Sequence, residues 1–157
     1  IAGGDDLQVL AFLDDVDLGA PGRRLDGAGH WDEQALPDIE ASGGRLVAIS
    51  PNLPDTSLSS VEKHNLSFEV LSDVDNRLAR KFGLVFSLGE PLRPLYRKIG
   101  HDIPGQNGND TWELPVPATY VVDRDGIIVY RYVNIDYTQR AEPAEIVAAM
   151  KGLPSVV

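Results

Sequence analysis

Cysteine is absent from all 157 residues, which excludes disulfides, thiolate metal sites and a cysteine nucleophile in this chain. Positive charge is scarce: 14 Lys and Arg stand against 24 Asp and Glu, a formal charge of −10. No nucleic-acid or anionic-lipid surface is therefore expected, because both are held by clustered Lys and Arg. No segment approaches the roughly 18 to 20 uninterrupted apolar residues of a membrane span. There is no P-loop and no Gly-x-Gly-x-x-Gly opening a helix, so no nucleotide cofactor is read. Hydroxyl side chains are missing locally, with no Ser, Thr or Tyr from Ile1 to Ala41. What is present is 43% hydrophobic and 24% charged residues, the balance of an ordinary globular chain, read as one domain over residues 1–157. With no leader visible before Ile1, a cytoplasmic protein is the expectation.

The patterning alternates strands and helices. Leu7 to Leu13 is a nearly continuous apolar run, as expected of a strand covered on both faces, and Arg45 to Ser50 is a second. Between them Asp14 to Gly29 reads as loop, and Trp31 to Ala41 as a helix in which Pro37 predicts a kink or a late start. A capped helix is expected from Asp55 or Thr56 to Asn65, a brief strand over Phe68 to Leu71, and a helix from Ser72 or Asp73 to Gly83. Pro91 to Ile99 reads as a short helix and His101 to Pro117 as a long loop. Ala118 to Val122 and Ile127 to Val133 flank Asp123-Arg-Asp-Gly126, a hairpin whose glycine supplies positive φ. Pro143 opens a final helix ending at Gly152. Early crossover helices imply parallel strands and the late hairpin adds antiparallel ones. The expected architecture is a thioredoxin-like α/β/α sandwich with a central mixed sheet and a C-terminal β-hairpin plus helix.

Four stretches together carry a family resemblance: ALPDIEASGGRLVAISP from Ala35, LSFEVLSDVDNRLARKFGL from Leu66, NDTWELPVPATYVVDRDGIIVYRYVNIDYTQR from Asn109, and EPAEIVAAM from Glu142. Over residues 35–150 the chain resembles the peroxiredoxin-like branch of the alkyl hydroperoxide reductase / thiol-specific antioxidant (AhpC/TSA) family. That resemblance implies a thioredoxin fold and thiol-dependent reduction of hydroperoxides. It also implies a homodimer as one assembly, and a thioredoxin-type reductant as partner wherever a thiol is present. The family's nucleophile sits in a Trp-Cys-Pro-x-Cys type loop between a strand like LQVLAFL and the helix leading into ALPDIEA. Counting forward from Phe12 places that position near Leu18; counting back from Leu36 places it near Gly22. The segment Leu18, Gly19, Ala20, Pro21, Gly22, Arg23, Arg24 contains no Cys, Ser or Thr. It is a vestigial nucleophile loop, with Pro117 as the facing family proline, expected to follow a cis bond. A hydroxyl would not substitute for a thiolate, because its pKa is far higher and it does not accept a peroxide oxygen.

Other candidates have plain readings beside sharper ones. His30, His64 and His101 share no ligand spacing; His30 with Glu33 or Gln34 on one helical face reads as a surface or helix-cap residue, with a metal site as the alternative, and no metal site is expected. Asp14-Asp15-Val16-Asp17 lacks the glycine and bidentate glutamate of a calcium loop and reads as solvated. Gly105 to Asp110 is oxygen-rich but made of ordinary turn formers. The sequons at Asn65 and Asn109 are read as incidental, and Ser50, Ser57, Ser59 and Ser60 sit in no nucleophile-elbow pattern. Arg23 and Arg24 read as solvated cations, with anion binding in the vacant loop as the alternative. Trp112, Tyr120, Tyr130 and Tyr132 line either a groove or the core. Leu92, Leu95 and Tyr96 form either a partner face or packing. Three functions stay open: a thiol peroxidase, a redox-inactive thioredoxin-fold binding module, and a different enzyme reusing the emptied pocket.

Overall fold

The computed structural model describes residues 7–12, 29–57, 66–136 and 139–152. Leu18 to Arg24, His64 and the Asp14–Asp17 cluster lie outside the described residues, as does the helix expected to run to Asn65 beyond its first turn at 54–57.

Five strands form the central sheet: β1 (Leu7–Phe12), β2 (Gly44–Ser50), β3 (Glu69–Ser72), and, from the C-terminal part, Ala118–Val122 and Ile128–Val133. A separate two-stranded sheet pairs β4 (Val85–Ser87) with β5 (Glu113–Pro115), so the last two central strands are β6 and β7. The central order is β3-β2-β1-β6-β7, parallel from β3 to β1 and antiparallel from β1 to β7. This is the mixed sheet expected from crossover helices followed by a hairpin.

Alternation along β1 divides the core. Leu7, Val9 and Ala11 join Leu46, Ala48 and Val121 under α1 (Gly29–Ala41), represented by Ala35 and Ile39. Ile146 and Met150 of the C-terminal helix pack on the same face. Leu10 and Phe12 point the other way, to Val47, Ile49, Tyr120 and Ala79. Each buried aliphatic side chain contributes about 1.5 to 3 kcal/mol of transfer free energy, so both faces are needed to hold the sheet. Gly44 marks where β2 meets the helices: a Cβ there would fall 2.0 Å from Met150 Cε and 3.2 Å from the Ile39 carbonyl oxygen.

Several expected elements are revised. α1 begins at Gly29, so Pro37 is an interior residue; burial of Ala35 and Ile39 on either side holds the helix despite the missing N–H. The helix expected from Ser72 or Asp73 is broken by Asp75 and Asn76, whose φ of 61° and 53° are left-handed, leaving α2 as Arg77–Lys81. The next helix splits into a 3₁₀ turn over Glu90–Leu92 and α3 (Arg93–Lys98), with Pro94 in the first turn where no N–H is required. The region 101–117 is no loop: it holds α4 (Ile103–Asn107) and β5, with Leu88 N–H donating to Trp112 O at 2.7 Å and Val116 N–H to Leu84 O at 2.7 Å. The hairpin is as expected. Gly126 has φ of 81°, and Asp123 Oδ1 accepts from the N–H groups of Asp125 and Ile127 at 3.0 and 2.8 Å. α5 (Pro143–Lys151) closes the fold.

Candidate functional site

In open α/β sheets, ligands collect beyond the carboxyl ends of the parallel strands. At that end β1 stops at Phe12, directly opposite Ala118 in the antiparallel ladder. The last residue of β1 is therefore paired with the residue that follows Pro117, which is buried and whose carbonyl accepts from Asn134 N–H at 3.5 Å. The expected cis bond is not found: no cis peptide occurs among the described residues, and Pro117 follows a trans bond. Val116 N–H is fixed on Leu84 O and Ala118 is fixed opposite Phe12, so the chain crosses from β5 to β6 extended, in the isomer that X–Pro bonds intrinsically favour.

Beside this end lies a buried polar seam that sequence reasoning passed over. After β2, Ser50 Oγ accepts from Asn52 N–H at 3.2 Å; after β3, Asp73 N–H donates to Ser50 O at 2.7 Å. Leu53 N–H donates to Gln106 O at 2.9 Å, pulling α4 over the same end. Asn76 and Asn107, both buried, donate their side-chain N–H groups to one carbonyl, Glu113 O, at 3.2 and 3.3 Å. The Oδ1 atoms of Asn52, Asn76 and Asn107 are buried without a hydrogen-bond partner. Asn76 in the left-handed region is the one signal the sequence carried, since Asn tolerates that conformation better than most residues. Asp73 caps α2 from four residues upstream, its two carboxylate oxygens accepting from Leu78 and Ala79 N–H at 2.8 Å each.

The titratable groups are spread out. His101 is buried against the ring of Tyr96, with Nδ1 unpartnered, and burial lowers its pKa below 6.5. Tyr120 packs with Phe12 and Phe82 at ring separations of 6.0 and 4.9 Å; burial raises its pKa, with Arg131 opposing. Tyr130 donates to Glu145 Oε2 at 2.8 Å, and its pKa is raised by burial first and by that carboxylate second. Trp112 is buried with Leu88, Ile103 and Leu114, so the candidate groove aromatics Trp112 and Tyr120 are core. Among the described residues no three His, Asp or Glu side chains converge as metal ligands, and no helix is long and apolar enough to cross a membrane. Ser57 and Ser72 share a hydrogen bond at 3.0 Å.

These features define a class: a thioredoxin-like α/β sandwich in which the carboxyl end of β1 pairs with the start of β6, just after a buried proline. Solved structures share it. The chain matches reduced Prx3 from Vibrio vulnificus in complex with hydrogen peroxide at TM-score 0.66 and 16% identity, over 94% of this chain and 80% of that one. It matches a cysteine-to-serine mutant of Xylella fastidiosa PrxQ at TM-score 0.66 and 14% identity, over 94% and 77%. Mycobacterium tuberculosis AhpC aligns at TM-score 0.63 and 13% identity, over 93% and 68%. At such identities these likenesses speak for the fold alone. No curated protein sequence matches. The AhpC/TSA family profile matches residues 33–131, well over half of the sequence. The chain belongs to the AhpC/TSA family, and it carries no cysteine.

Proposed function

We propose that this protein is a redox-inactive member of the AhpC/TSA family, a peroxiredoxin-like frame over residues 1–157 that works by binding and not by reducing peroxides. The supporting observation is that the whole sequence lacks the thiol on which family chemistry depends. The position that should carry it, between β1 and α1, is internal to the chain. Family chemistry needs a thiolate to attack the peroxide oxygen: an S–O bond forms, the O–O bond breaks, alcohol or water leaves, and the sulfur remains as sulfenic acid. Leu18 to Arg24 offers neither that atom nor a hydroxyl. Peroxide consumption with dithiothreitol as reductant tests this: a background rate is expected, and turnover proportional to protein concentration overturns it.

A second copy is the partner favoured by the sheet edge. Among the described residues β7 is unpaired on its outer side, and it carries Ile128, Val129 and Val133 exposed, with Ile127 and Ile135 beside it. Exposed apolar edge strands invite pairing. Antiparallel self-pairing centred on Tyr130 sets Arg131 against Val129 of the second copy and keeps like charges apart. Sedimentation velocity should give a dimer that Val129→Lys converts to monomer; a monomeric parent protein refutes the pairing.

A further inference from the structure

α3 and its flanks carry a concentration of features at odds with the rest of the chain. Leu92, Leu95 and Ile99 are 47%, 52% and 53% exposed, and their spacing of three and four residues puts them along one side of the helix. Arg93, Arg97 and Lys98 make the segment 91–99 a basic island in a chain of net charge −10, with no Asp or Glu inside it. The two arginines are not freely waving charges. Their Cζ atoms lie 5.6 and 4.9 Å from the centroid of the same ring, that of buried Trp112. Arg93 Nε also donates to Leu88 O at 3.1 Å, and its guanidinium is 3.9 Å from Glu90. Arg97 has no carboxylate partner among the described residues.

Two like charges over one indole repel each other, and a carboxylate placed between them relieves that repulsion. Stacking on the indole also restrains both side chains before any ligand arrives, so less rotamer freedom is lost on binding. Arginine, with its forked donors, is the side chain suited to grip a carboxylate. We infer that this surface docks an acidic, leucine-rich peptide segment of a partner protein, its carboxylate held by Arg93 and Arg97 and its apolar side chains laid against Leu92, Leu95 and Ile99.

Charge decides the class of partner. Screening limits interactions to about 8 Å at physiological salt, so a short peptide confined to this island meets its positive charge. A nucleic acid or an anionic membrane extends over the remaining surface, where the chain is strongly acidic. The inference rests on reading the protein as a binding module. Its test is separate: peroxide turnover refutes that reading, whereas the outcomes below bear on the α3 surface alone.

The absence of cysteine makes the experiment clean, because a single introduced cysteine is the only thiol to label. A Lys81→Cys variant, with the label on α2, is titrated by fluorescence with a synthetic peptide of Glu and Leu in helical spacing. A Lys and Leu peptide of the same pattern is the control, and anionic phospholipid vesicles form a third arm. Saturable binding of the acidic peptide is expected, weakening as salt rises, with at least ten-fold loss in Arg97→Glu and in Leu95→Ser. Both substitutions are at exposed positions, and circular dichroism of each confirms the fold. Equal affinity in the parent and Arg97→Glu proteins overturns the inference. So does preference for the basic peptide, or binding to vesicles without binding to the acidic peptide.

Discussion

Removing the Asp73 carboxylate is expected to destabilise the protein out of proportion to one half-buried residue. α2 begins immediately after two left-handed residues, so Asn76 cannot cap it, and Asp73 supplies both acceptors from upstream. A lost N-cap costs about 0.5 to 2 kcal/mol, and a hydrogen bond to a charged group contributes about 1.5 to 3 kcal/mol. Partial exposure and the sharing of one carboxylate keep the two bonds from adding fully. Asp73→Ala is therefore expected to cost about 2 to 3 kcal/mol, a substantial share of a total near 5 to 15 kcal/mol. Asp73→Asn keeps one acceptor but presents an amide N–H to the second backbone donor, so about 1 to 2 kcal/mol is expected. With a urea m-value near 2 kcal/mol/M, the alanine variant should lower the midpoint by about 1 to 1.5 M at unchanged m. Asp38→Asn, an exposed change of equal charge on α1, should stay within about 0.5 kcal/mol. Equilibrium unfolding followed by circular dichroism measures all three. A loss below about 0.5 kcal/mol for Asp73→Ala would refute the non-local cap.

The polar seam, the histidine and the tyrosines give further expectations. Asn76→Ala should cost about 2 to 3 kcal/mol, from the bond to Glu113 O and the left-handed backbone, whereas Asn76→Gly should recover about 1 kcal/mol of it. Equal losses in urea melts would mean that the backbone conformation carries no strain. His101 has a pKa below 6.5 in the folded state, so the unfolded chain binds more protons in acid. Its contribution is thus complete above pH 6.5 and is lost as pH falls below it; His101→Phe should flatten the difference between urea midpoints at pH 5.5 and 7.5. Absorbance titration of the five tyrosines should show Tyr120 and Tyr130 ionising above the ordinary range, and Tyr130→Phe should remove one late-titrating group.

Local chemistry explains what was legible in the sequence. The hairpin was readable because Asp123 and Gly126 form its turn unaided, and β1 and β2 because a strand covered on both faces must be apolar throughout. The elements at 101–117 were not, because their order is non-local. β5 is three residues long and exists by pairing with β4, while α4 is held through Gln106 to Leu53. The same holds for the break in the helix at Asp75 and Asn76. Leu92 and Leu95 were legible as a candidate face. That Arg93 and Arg97 stack on one indole was not, since Trp112 lies more than a dozen positions away in the chain and arrives through β5. The loop from Leu18 to Arg24 was legible only by what it lacks.

The decisive measurement is peroxide turnover coupled to thioredoxin, thioredoxin reductase and NADPH. It is made with hydrogen peroxide and an alkyl hydroperoxide, on protein whose intact mass and peptide map confirm a cysteine-free chain. NADPH oxidation no faster than the blank is the expected result. Oxidation that scales with the amount of this cysteine-free protein contradicts the reading of a peroxiredoxin-like fold without peroxidase chemistry.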